Sequence, residues 1–145
     1  FEAEAAERRA LVSDTIEIDG KPVAVQYSRL DMGSLAALFD GDVVSVSRGE
    51  AANPLQVILT FDEPRPLSGV ALTVGGQPTR VTVTATVEGL PEPVIFSGEV
   101  QFSTETQLID LPFEVMLSVN RLEIEILSIN DVEPTHVHIW EIDLR

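Results

Sequence analysis

The chain has 145 residues, the size of one domain, and such a domain buries roughly two-thirds of its unfolded surface in a single core. Nine Lys and Arg against 24 Asp and Glu leave a formal net charge of -15, which repels phosphate backbones and anionic lipid surfaces and sets nucleic acid aside as a partner. There is no cysteine, which excludes a disulfide scaffold, a thiolate zinc site and a cysteine nucleophile. No apolar run approaches the roughly 20 residues of a membrane helix, so direct membrane insertion by this segment is not expected. The chain begins at Phe1 without Met and reads as a piece of a longer protein.

The first segment, 2–12, is rich in Ala, Glu and Arg and has no Gly or Pro. That composition predicts a short helix or connector, with a domain boundary near residue 14 and the main domain over 15–145. The period then changes to two. Thr15 to Ile18 is followed by Asp19-Gly20 and by the extended piece Pro22 to Tyr27, the pattern of a β-hairpin. Ser34 to Phe39 predicts one helical turn capped by Ser34, leading into the acidic loop Asp40-Gly41-Asp42.

From Leu55 the alternation is regular. Leu55, Val57, Leu59 and Phe61 take every second position, and the Pro-rich stretch 62–66 is expected to close that strand. A further strand is expected from Leu67 to Val74, ending at Gly75-Gly76. Val81, Val83, Ala85 and Val87 then alternate with Thr82, Thr84 and Thr86, as in a sheet with one wet face. More strands are predicted at 94–96 with 100–102, at 106–111, at 121–129 and at 136–144. In 121–129, Leu122, Ile124 and Ile126 oppose Glu123 and Glu125. Eight to ten short strands without intervening helices predict an all-β, antiparallel two-sheet sandwich, its core built on Leu55, Val57, Leu59, Val81, Val83, Leu122, Ile124 and Ile126.

The search for chemistry is mostly negative. The only histidines, His136 and His138, are two apart in one strand. They share a face, but two neutral ligands without a third make a poor metal site, and no Ser elbow accompanies them. Gly75-Gly76 is followed by neither a P-loop Lys nor a dinucleotide fingerprint. No catalytic residue is assigned. The one acidic turn of interest, Asp40-Gly41-Asp42 with Ser45, gathers short carboxylates and a hydroxyl of the kind Ca²⁺ takes. An ordinary Asp-Gly turn is the alternative.

The order of these pieces resembles the discoidin family, the coagulation-factor type C or galactose-binding-like domains, including bacterial carbohydrate-binding jelly rolls. The matching segments are LFDGD at 38–42 with Ser45, NPLQVILTF at 53–61, PLSGVALTVGG at 66–76, RLEIEIL at 121–127 and HVHIWEIDL at 136–144. The resemblance implies a jelly roll and a structural Ca²⁺ held by Asp40, Asp42, Ser45 and Glu141, with the backbone carbonyl of Phe39. It also implies a non-catalytic accessory domain of a larger extracytoplasmic protein, tethered through that parent, whose partner is a glycan or an adjoining domain of the same protein. A structural or protein-docking module of a membrane-bound glycosyltransferase or glycosidase is the alternative, and an enzyme the third reading. Ser47 and Glu88-Gly89 stand where the family commonly has Trp and Asp-Gly-Trp, which leaves the ligand-binding residues unassigned.

Overall fold

The computed structural model describes residues 11–28, 30–32, 34–39, 47–49, 54–129 and 138–145. Among these residues the chain forms β1 (Leu11–Ile18), β2 (Lys21–Ser28), β3 (Leu30–Met32), a 3-10 turn (Ala36–Phe39) and β4 (Ser47–Gly49). Then come β5 (Leu55–Val74), β6 (Thr79–Val87), β7 (Val94–Val100), β8 (Gln107–Ser128) and β9 (His138–Leu144). All neighbours pair antiparallel.

The β1–β2 hairpin turns through Asp19 and Gly20, with φ of 54° and 77°. Positive φ at both central residues gives a turn whose twist matches that of the strands, and Asp-Gly is the pair that tolerates it. Strand β1 starts at Leu11, opposite Ser28. Residues 11–14, expected in the connector, are therefore strand: the β2 edge supplies backbone partners that a short isolated helix lacks. Residues 1–10 lie outside the described residues.

Strands β5 and β8 form one long two-stranded ribbon that changes direction midway. In the register, residues 61–64 of β5 stand opposite Asn120 alone, and residues 113–116 of β8 stand opposite Ser68 alone. Two such offset bulges, one on each strand, bend the ribbon at a corner, which is how strands pass from one sheet of a sandwich to the other. The expected strand end at 62–66 is thus a bend within β5, and the strands expected at 106–111 and 121–129 are two halves of β8. Pro64 fits there because a bulge does not require its missing N–H. Glu114, at φ 70°, takes the left-handed backbone that the β8 bulge needs.

The first half of β5 joins β2 and the second half of β8, which carries β6 and β7. The second half of β5 joins β9 and the first half of β8, and β9 carries β4 and β3. These two sheets face each other as a jelly-roll β-sandwich. The residues 94–96 and 100–102, expected as two strands, contribute the single strand β7, and 101–106 are loop. Strand β7 curls over the seam: Phe96 stacks on Phe113 at 4.4 Å, and Gly98 abuts the side chains of Ile109 and Leu111.

The core follows the alternation. Leu55, Leu59, Val81, Val83, Leu122 and Ile126 are fully buried, and Val57 and Ile124 are 1% exposed. At the corner, Arg65 pairs with Asp19 and donates to the Ile18 carbonyl at 3.3 Å, fastening the first hairpin to the bend. Leu122→Ala should cost about 3 kcal/mol through lost burial and a residual cavity. Gly20→Ala should cost about 1 kcal/mol, although nothing lies within 4 Å of the added carbon, because the price is the backbone conformation alone. Urea melts of both variants check this ordering; a Gly20→Ala loss matching that of Leu122→Ala would contradict it.

Candidate functional site

Because the ribbon doubles back, Leu55, Val74, Gln107 and Ser128 finish together at the end opposite the corner. That open end holds a pocket of about 290 Å³ lined by Gly75, Gly76, Gln77, Thr79, Ser128, His138 and Trp140. Both sheets contribute: Thr79 and Ser128 belong to the β6 side, His138 and Trp140 to β9. The wall combines one large aromatic ring with hydroxyl, amide and imidazole groups, the composition of a site for a polar ligand with an apolar face.

The position of Trp140 comes from a bulge. Val74 pairs with Ile139 and Thr73 with Glu141, so Trp140 has no opposite residue on β5. The extra residue resets the alternation, so that Ile139 and Ile142 both enter the core, at 0% and 1% exposure. Strict alternation would instead have put Glu141 on the same face as Ile139. Bulges commonly re-aim a side chain in this way beside functional sites. Trp140 is half-buried, and its ring packs against Gly75.

Gly76 supports the other side of the same ledge. It accepts a hydrogen bond from the Ser103 amide at 2.8 Å, and a Cβ placed on it would come within 2.1 Å of the Ser103 carbonyl oxygen. The 101–106 loop is further held by Gln107, whose side-chain amide donates to the Gln101 carbonyl at 2.8 Å and to the Gly75 carbonyl at 3.5 Å. The Ile129 amide donates to the Pro78 carbonyl at 3.0 Å, closing the β8 side. The floor of the pocket is therefore backbone, fixed by hydrogen bonds from three segments.

Of the metal ligands implied by the resemblance, Glu141 is described: it is buried, at 7% exposure, opposite Thr73 and on the face turned away from Leu72 and Ile142. Asp40, Asp42 and Ser45 lie outside the described residues, as does His136. Phe39 ends the 3-10 turn, which packs against β9. Among the described residues no group of three or more His, Asp or Glu is placed to hold a metal ion. His138 is half-buried in the pocket wall rather than on an open strand face. Sequence reasoning read Gly75-Gly76 as a strand end, set it aside as a phosphate loop, and left Gln77, Thr79 and Ser128 unremarked. No local pattern marks residues that converge only when the ribbon folds back.

No protein-family model matches the chain, and no curated protein matches it in sequence. Solved structures do resemble it. A pectin-binding carbohydrate-binding module is 12% identical, over 92% of this chain and 92% of that one, with a TM-score of 0.61. CpGH89CBM32-4, produced by Clostridium perfringens, is 17% identical over 83% of this chain and 92% of that one, with a TM-score of 0.57. A Ruminococcus gnavus GH29 fucosidase solved in complex with fucose is 10% identical, with a TM-score of 0.62. That match covers 84% of this chain and only 25% of the fucosidase, so the chain spans a quarter of that protein. At these identities the likeness is one of fold: the antiparallel jelly roll shared by carbohydrate-binding modules.

The ledge gives a direct test. Gly76→Ala should cost about 2 kcal/mol by overpacking against a backbone oxygen that is itself tied down. Gly75→Ala, whose nearest contact is the Trp140 ring at 3.4 Å, should cost less than half of that. Thermal melts compare the two, and equal midpoints would show that the 101–106 loop is not held as described.

Proposed function

We propose that this chain is a non-catalytic, carbohydrate-binding accessory domain of a larger extracytoplasmic protein, and that the open-end pocket around Trp140 takes the sugar. The observation that carries this is the single tryptophan, displaced from the alternation by a bulge into a pocket of mixed apolar and polar lining whose backbone floor is held by hydrogen bonds. A pyranose has one face of C–H bonds and an equatorial rim of hydroxyls. An indole ring suits the face, and hydroxyl, amide and imidazole groups suit the rim. The likeness of fold to carbohydrate-binding modules supports the same reading. The fold is compatible equally with a domain that only docks an adjoining part of its parent, and that rival is an outcome of the test below.

The charge narrows the class. A domain of formal charge -15 repels polyuronates, so neutral or amino sugars are the expected ligands. Glycan-array binding followed by calorimetry should find such a saccharide at micromolar to millimolar Kd. Sugar should shift the fluorescence of Trp140, the only tryptophan. Trp140→Ala should weaken binding at least about tenfold, as truncation of an aromatic anchor does. Absence of any bound saccharide at millimolar concentration favours the docking domain.

A structural Ca²⁺ belongs to the same proposal. Its ligands would be Asp40, Asp42, Ser45 and Glu141 with the Phe39 carbonyl, and it would join the loop after the 3-10 turn to the last strand. What supports it is the buried carboxylate of Glu141 on a strand that packs against the 3-10 turn ending at Phe39, one residue before Asp40. Carboxylates brought together there repel by about 1 kcal/mol per close pair even in a water-like dielectric, and a divalent cation offsets this. Chelator should lower the thermal midpoint, added calcium should restore it by mass action, and Asp42→Ala should abolish the response. A melting curve indifferent to both reagents removes the metal from the proposal.

A further inference from the structure

Among the described residues Phe102 is the most exposed of the large apolar side chains, at 67%. Phe61 and Phe113 are buried, and Phe96 stacks on Phe113. A ring left in water forgoes the burial that a phenylalanine ordinarily gains on folding. Loop flexibility does not account for it, because the residues around Phe102 are fastened on both sides. The Ser103 backbone amide is bonded to the Gly76 carbonyl at 2.8 Å, and the Gln101 carbonyl accepts from the Gln107 side-chain amide at 2.8 Å. The Glu105 amide in turn donates to the Ser103 hydroxyl at 3.2 Å. The loop is thus a rigid mount beside the pocket: Gly76 lines the pocket and also carries the loop.

Two aromatic residues are thus tied to one step of two glycines, one by its ring and the other through its chain neighbour. Trp140 packs on Gly75, and the residue after Phe102 is bonded to Gly76. We infer that Phe102 forms a second sugar subsite, contiguous with the Trp140 pocket, so that the open end recognises at least two linked saccharide units rather than one. This rests on the carbohydrate-binding reading of the pocket and deepens it. In such an arrangement Trp140 holds the first ring and Phe102 presents a flat apolar surface to the neighbouring one. The rigid loop keeps low the entropy lost on binding. Selectivity for length then comes from Phe102 and selectivity for the first sugar from the pocket.

The experiment follows Trp140 fluorescence, with calorimetry alongside, in the whole chain and in Phe102→Ala and Phe102→Tyr. Galactose, fucose, N-acetylglucosamine and glucosamine are titrated first, then oligomers containing the one that binds. Because Phe102 is exposed, Phe102→Ala should fold and melt as the parent does. It should bind the monosaccharide with unchanged affinity and the oligomers about three- to tenfold more weakly, the range expected for loss of one aromatic stacking contact. Phe102→Tyr should restore oligomer binding. Equal oligomer affinities in the parent and Phe102→Ala overturn the second subsite while leaving the Trp140 pocket standing. A uniform loss for monosaccharide and oligomer alike also overturns it, assigning Phe102 to the first site. If no saccharide perturbs the parent chain, the carbohydrate reading fails, and the subsite with it.

Discussion

Everything in this domain depends on the bend in the β5–β8 ribbon. Two strands of 20 and 22 residues pair along most of their length, and each carries four residues opposite one at the corner. Offset bulges let the same two strands serve both sheets, so the sandwich is closed by continuous backbone at one end and left open at the other. The hydrophobic faces of both halves then meet, and one contiguous core runs from Val23 and Leu59 through to Leu72 and Ile142. A flat ribbon of this length would leave one apolar face in water.

The bend also divides the labour between the two ends. At the corner, Arg65 reaches Asp19 and lies 5.8 Å from the Phe61 ring centre, tying the first hairpin to the bulge; this end is built for closure. At the open end, strand termini arrive from both sheets with little chain between them. Gly75 and Gly76 let the 101–106 loop and the Trp140 ring approach the same stretch of backbone. A pocket results there among the described residues, on a floor held by backbone hydrogen bonds. Preorganisation of this kind is what a weak, polar ligand such as a sugar needs, since few contacts are available to offset ordering on binding.

A further bulge, at Trp140, shapes that opening. It places a ring where alternation would have placed it differently and gives β9 two core isoleucines three positions apart. It also leaves Glu141 on the face of its sheet away from the core and yet buried. One inserted residue therefore sets both the aromatic wall of the pocket and the position of the buried Glu141 carboxylate.

How much of this was legible in the chain itself follows from the range of each interaction. Period-two alternation is local, so the strand faces and the core residues Leu55, Leu59, Val81, Leu122 and Ile126 could be read directly, as could the Asp19-Gly20 hairpin. The sandwich class followed from those faces needing one another. Proline was misread where its meaning depends on the partner strand: 62–66 looks like a turn, because a bulge is defined by what stands opposite it. The same reason hid Trp140, whose displacement exists only relative to Thr73 and Val74. It also hid the pocket, whose residues lie on four segments between Gly75 and Trp140. Sequence determined which residues must be buried together; the folding back of the ribbon decided which polar and aromatic groups would meet at its open end, since convergence is set by long-range register and not by any neighbouring residue.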